Sequence, residues 1–202
     1  MTPSEPDPVG AGRARPLRAD ARRNRERVLE AAESVLATEG VSVPIDEVAR
    51  RAGVGVGTVY RQFPTKEALF EAIMLRRMER LVEEARSRAT AEDPGAAFFG
   101  FLEHLVEEAA RKRDLVDAIG GTTFDVGEKA ASPIGQELTG AIAGLLERAQ
   151  RAGAVRRDVG MPELFGLVAG TCMAADRGLP LACAPRRMLA IVFDGLRPAE
   201  RR

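Results

Sequence analysis

The strongest constraint on this chain lies between residues 44 and 64, where a helical pattern is cut twice in quick succession. Pro44 opens an apolar-periodic segment with Ile45, Val48 and Ala49 on one face, and Gly53 closes it. A second segment, Val56 to Gln62, is seven residues long and stops at Phe63-Pro64. Glycine readily takes the positive φ that ends a helix, and the residue before a proline is driven out of the α region. Helices this short are not stable alone. They must lie against each other and against a longer neighbour, and their lengths and the turn at Gly53-Val54 have the spacing of a helix-turn-helix.

The neighbour is legible upstream. Val28, Leu29, Ala32, Val35 and Leu36 fall at i, i+1, i+4, i+7 and i+8, one face of a helix that Gly40 stops. Downstream, Thr65 is a good N-cap, and Ala68, Leu69, Phe70, Ile73, Met74, Leu81 and Val82 form a stripe reaching about Thr90. Past Asp93-Pro94-Gly95 the periodicity predicts helices over roughly 95–112, 114–119, 133–152, 162–178 and 185–197, with breaks rich in glycine and proline. No segment sustains a period-two alternation, and no repeat recurs at solenoid spacing. The expected fold class is all-α, with an N-terminal three-helix helix-turn-helix domain and a C-terminal helical bundle. Residues 1–18, with four prolines and little apolar content, read as a disordered basic arm. Residues 19–75 form the helix-turn-helix domain, with its motif at about 44–63, and residues 76–202 the C-terminal domain.

Charge agrees with that division. The chain is neutral overall, which argues against a bulk polyanion binder. Yet residues 13–77 hold thirteen basic against nine acidic side chains, and residues 78–202 seventeen against nineteen. The most basic segment is Arg13 to Arg27, where seven arginines face only Asp20 and Glu26. The N-terminal stretch has no apolar run, so a signal peptide or membrane anchor is not expected there, and the protein is expected to be cytoplasmic. Cys172 and Cys183 stand eleven positions apart without a CxxC pair or a nearby histidine, which fits free thiols better than a disulfide framework or a zinc site.

Packing of Val54 and Val59 onto the upstream helix would present the seven-residue helix outward. Its other residues, Val56, Gly57, Thr58, Tyr60, Arg61 and Gln62, offer a methyl-reading surface, hydroxyl donors, a guanidinium and an amide, groups suited to a major groove. Gly57 is the informative one, because glycine inside a helix costs about 1 kcal/mol relative to alanine. Close backbone approach to DNA would offset that; a neutral, loop-like glycine is the bland alternative. Arg15, Arg18, Arg22, Arg23 and Arg25 could reach a phosphate or a neighbouring minor groove, although a charge run is often simply a solvated face.

The run GVGVGTVYRQFPTKEALF, preceded by RRNRERVLEAAESVLATEG and IDEVARRAGV, resembles the N-terminal domain of the tetracycline-repressor (TetR) family over about Arg22 to Met74. The resemblance implies phosphate contacts from the Thr58 and Tyr60 hydroxyls and the Lys66 ammonium, aided by the helix N-terminus after Thr65. It places Val56, Gly57, Arg61 and Gln62 toward base edges. Without that context Tyr60 would read as a packing residue and Lys66 as a solvated charge. Two departures stand out: Gly55 replaces a frequent capping serine, and Asp46 and Glu47 begin the first short helix where phosphates would repel them.

The resemblance further implies a C-terminal domain that binds a small-molecule effector and dimerises, in a repressor released from a pseudo-palindromic operator. A two-fold dimer also follows physically, because one seven-residue helix reads too few bases, whereas two about 34 Å apart read successive groove faces. Leu164, Leu167, Val168, Met173, Leu189, Val192 and Phe193 on the last two helices are candidates for an intersubunit four-helix bundle, although part of that set must be core. Phe98, Phe101, His104, Leu105, Phe124, Leu145 and Phe165 are candidate effector contacts, though apolar residues at helical spacing are usually core and His104 fits a structural or solvated role. The Gly120-Gly121-Thr122-Thr123 break is the irregular segment expected near them.

No catalytic group, cofactor or metal is expected. A single histidine and no GxSxG leave no Ser-His-Asp grouping, and GVGVG is not followed by GK[ST]. The remaining alternatives are a helical ligand-binding or scaffold protein without DNA binding, and a transcriptional activator of the same fold.

Overall fold

A computed structural model of the protein describes residues 14–40, 42–117, 131–176 and 185–199. Every regular element among them is a helix: α1 (Ala14–Glu39), α2 (Ile45–Ala52), α3 (Val56–Gln62), α4 (Lys66–Arg88), α5 (Pro94–Asp117), α6 (Pro133–Arg151), α7 (Met161–Asp176) and α8 (Pro185–Leu196). The chain divides into two compact units, Met1–Ile73 and Met74–Arg202, so α4 contributes residues to both.

In the first unit α1 lies against α2 and α3, and α2 against α3. Val28, Ala32 and Val35 of α1, Val48, Ala49 and Ala52 of α2 and Val59 of α3 are buried, as are Phe63, Leu69, Phe70 and Ile73. Burial of each large side chain contributes about 1.5–3 kcal/mol, far more than the intrinsic helicity of segments this short. The α2–α3 turn is built on Gly53, whose φ of 63° is left-handed. Its N–H donates to the Arg50 carbonyl at 3.2 Å, and that of Val54 to the Ala49 carbonyl at 3.1 Å. Thr65 caps α4, its hydroxyl oxygen accepting the Ala68 N–H at 3.1 Å.

The structure starts α1 at Ala14, so residues 14–18 are helical where composition pointed to disorder. Pro16 sits in the first turn, where a backbone N–H would lack an intrahelical acceptor and proline is tolerated. Asp20–Arg23 and Arg22–Glu26 then pair one turn apart.

In the second unit α5 packs against α6, α7 and α8, and α7 against α8. Phe98, Phe101, Leu102, Ile142, Leu145, Leu164 and Leu196 form its core together with Leu81 and Ala85 of α4. The two helices expected over 95–112 and 114–119 are one, since no glycine or proline separates them. Ser132 caps α6, accepting the Gly135 N–H at 3.2 Å, with Pro133 in the first turn. Arg148 of α6 donates to the carbonyls of Arg88 and Ala91, at 3.4 and 2.9 Å, tying α6 to the segment that ends α4. Arg86 of α4 pairs with Glu137 of α6. Among the described residues no helix is long and apolar enough to cross a membrane.

Candidate nucleic-acid interface

The placement of α3 sorts its side chains. Val59 is fully buried and Phe63, immediately after the helix, is 1% exposed. Helical periodicity therefore turns Gly57, Tyr60 and Arg61 to the surface, with Val56 and Thr58 half-buried beside them. Tyr60 is 47% exposed and so is no packing tyrosine. Arg61 lies over its own helix, its Nη2 donating to the Thr58 hydroxyl at 3.4 Å. Nothing lies within 4 Å of where a Cβ on Gly57 would stand, so no internal contact accounts for that glycine. Gly55 opens α3 in an extended conformation without a side-chain cap.

Gln62 is the exception in the expected base-facing set. It stands three residues after Val59, on the inward side, and its Oε1 is buried without a hydrogen-bond partner. The 59–62 spacing carried that signal in the sequence. Lys66, the first residue of α4, is half-buried with Nζ 5.8 Å from the centre of the Phe70 ring, beside the Thr65 cap.

Of the two acidic residues that begin α2, Glu47 is paired. Glu47 accepts two hydrogen bonds from Arg50, at 2.7 and 2.6 Å, and one from Arg51 at 2.9 Å. Those guanidinium bonds hold its carboxyl down at about 2 against an ordinary 4.5. Arg51 also pairs with Glu39, tying α2 to α1. Near-repulsion at Glu47 is thus removed within the unit, through arginines three and four residues on.

The arginines of α1 divide by role. Arg22 and Arg23 are exposed, but each is engaged with an acidic neighbour, Glu26 and Asp20. The side chains of Arg15 and Arg18 lie outside the described residues. Arg25 instead stacks with its Cζ 4.5 Å from the centre of the Phe63 ring. Arg27, which the sequence reading left unassigned, donates from Nη2 to the Gly53 carbonyl at 3.4 Å.

The candidate effector contacts do not gather around one space. Phe98, Phe101 and Leu145 are packed into the second unit's core and Leu105 lies against it. His104 faces Glu84, Nε2 to Oε2 at 3.4 Å, on the surface side of α5. Phe165 is 40% exposed, because it falls between the inward Leu164 and Val168 on α7. Phe124, the 120–123 break and Cys183 lie outside the described residues. A surface depression lined by Gln150, Arg156, Asp158 and Pro198 includes none of these side chains. Among the described residues, no group of three or more His, Cys, Asp or Glu is arranged to hold a metal ion.

The last two helices divide between core and surface. Leu164, Val168 and Leu189 belong to the core, with Val192 and Phe193 packed against it, so of the proposed intersubunit set Leu167 alone among the described side chains is well exposed. It is joined on the surface by Phe165 and Ile191.

A short helix presenting a tyrosine, an arginine and an open glycine, set on a glycine turn and backed by two further helices, defines a helix-turn-helix DNA reader. Comparison with known proteins specifies it. Residues 28–73 match the family described as bacterial regulatory proteins, tetR family, and residues 93–198 match the family described as transcriptional regulator SbtR-like, C-terminal domain. A TetR transcription regulatory protein from Mycobacterium vanbaalenii is 44% identical in sequence, with a TM-score of 0.70 over 91% of this chain and 100% of that one. The TetR transcriptional regulator SCO0520 from Streptomyces coelicolor is 31% identical, with a TM-score of 0.68 over 87% and 99%. RolR, in complex with resorcinol, shares the fold at 23% identity, TM-score 0.55, over 89% and 90%. HTH-type transcriptional regulators of Staphylococcus aureus are 34% identical over 64 residues, and the chain spans about a third of their length, 35%. The chain belongs to the TetR family: it is a DNA-binding transcriptional regulator and not an enzyme.

Proposed function

We propose that the protein represses transcription as a two-fold dimer on a pseudo-palindromic operator and leaves it when a small molecule enters the second unit. The observation that carries this reading is the outward face of α3. The exposed Arg61 offers a guanidinium able to read a guanine edge, Tyr60 and Thr58 offer hydroxyls that can donate to phosphates, and Gly57 leaves the backbone free to approach. Lys66 beside the start of α4 supplies a further cation for the same strand.

Dimerisation is supported by the apolar surface on α7 and α8, where Phe165, Leu167 and Ile191 are 40%, 40% and 64% exposed. The effector reading is supported by the match of residues 93–198 to a regulator C-terminal domain and by the resorcinol complex of RolR. Action in the cytoplasm, where the operator lies, completes the reading.

The test is selection of bound fragments from the organism's own DNA, followed by transcription from the selected promoter with and without the protein. Enrichment of an inverted repeat and lower transcript supports the proposal. Higher transcript makes the protein an activator, and no enrichment even at low salt refutes operator binding.

A further inference from the structure

We infer that Arg25 is a positioning residue for the recognition helix, acting through its stack on Phe63, and that its removal lowers discrimination between operator and unrelated DNA. The inference rests on the DNA-binding reading of α3.

A seven-residue helix without a side-chain cap at its start cannot hold its own orientation. What holds α3 is Val59 beneath it and the two backbone segments at its ends. In the turn that precedes it, Arg27 of α1 donates to the carbonyl of Gly53. At its end the Phe63 N–H donates to the Val59 carbonyl at 2.8 Å, so the Phe63 ring reports directly on the last turn of α3. That ring is 1% exposed, and the guanidinium of Arg25 lies over it at 4.5 Å. Two arginines two residues apart on α1 therefore reach the turn that precedes, and the residue that follows, the helix carrying Tyr60 and Arg61.

Arg25 is exposed and, among the described residues, has no acidic partner, unlike Arg22 and Arg23. Its assigned contact is the ring. A guanidinium stacked on an aromatic face is worth enough at an exposed site to shift an equilibrium by about two- to five-fold. Tilting α3 moves the base-facing Arg61 more than it moves charge past the phosphates, so the loss falls on sequence discrimination.

An operator selected by the wild-type protein from a random duplex pool, and a scrambled duplex of the same length, serve as probes. Arg25→Gln is expected to weaken operator binding by about two- to five-fold, leave scrambled-duplex binding and its salt slope unchanged, and speed amide hydrogen exchange at Val59 and Phe63 in the free protein. Arg25→Lys, which keeps the charge but loses the planar stack, is expected to recover only part of the operator affinity. Phe63→Leu, checked for folding by thermal unfolding, is expected to show the same loss, and adding Arg25→Gln to it to cost nothing more. An equal loss on both duplexes with a salt slope lower by about one would make Arg25 a plain phosphate contact and overturn the inference. Unchanged operator binding overturns it too, while a wild-type protein that enriches no duplex removes the reading beneath it.

Discussion

Gly57 is the residue at which stability and function should part. A methyl group there meets nothing within 4 Å, and the position lies inside α3 with no left-handed φ to forbid it. Gly57→Ala should therefore raise unfolding free energy by about 0.5–1 kcal/mol, the helical cost of glycine. The same methyl would stand between the backbone and a groove wall, so duplex affinity should fall. Urea unfolding and operator titration of one variant read both effects; a variant that is stabilised and binds as before would leave Gly57 without a role at DNA. Gly53 is different, since its left-handed φ and the nearby Arg27 guanidinium make a side chain there strained.

At the scale of elements, α2 is joined to α1 through the Glu39–Arg51–Glu47–Arg50 chain of charges. The arginines lower the Glu47 carboxyl to about 2 in the folded protein. Its stabilising contribution is thus complete above the unfolded value near 4.5 and fades as pH falls toward 2. Glu47→Gln should lower stability at pH 6 by more than at pH 3, as measured by urea unfolding at both. An equal difference at the two values would show that the carboxylate contributes nothing through its charge.

Helix positions were largely legible because glycine, proline and apolar spacing act locally: Val56–Gln62 has the same bounds in sequence and structure. The inward turn of Gln62 was legible too, once its spacing from Val59 is weighed above its polarity. The pairing of Arg25 with Phe63 was not, because the two are far apart in sequence and no local pattern states which arginine of a basic run meets which ring. For the same reason, adjacent apolar residues on α7 gave no sign that Leu164 is core and Phe165 is surface.

At the scale of the whole molecule, the exposed Phe165, Leu167 and Ile191 need a cover, and a second copy of the chain would supply one. Phe165→Glu combined with Ile191→Glu should convert a sedimenting dimer into monomer while leaving the helical signal in circular dichroism intact. Affinity for a palindromic site should then drop steeply, and for a half-site little. A dimer that survives both changes would place the interface elsewhere.

The charge pairing within the first unit bears on how such a regulator finds its site. Arg22, Arg23, Arg50 and Arg51 are each held by a carboxylate, which leaves Arg25, Arg27, Arg61 and Lys66 as the described cations there without an acidic partner. Each ion pair that a phosphate must displace to reach Arg22, Arg23, Arg50 or Arg51 weakens hold on arbitrary chromosomal sequence, since residence there depends on how many phosphates are neutralised. A molecule so equipped covers the genome by many brief landings more than by long sliding. A small cellular pool can then stay largely unsequestered and, in the proposed effector-released reading, redistribute quickly when the effector concentration changes.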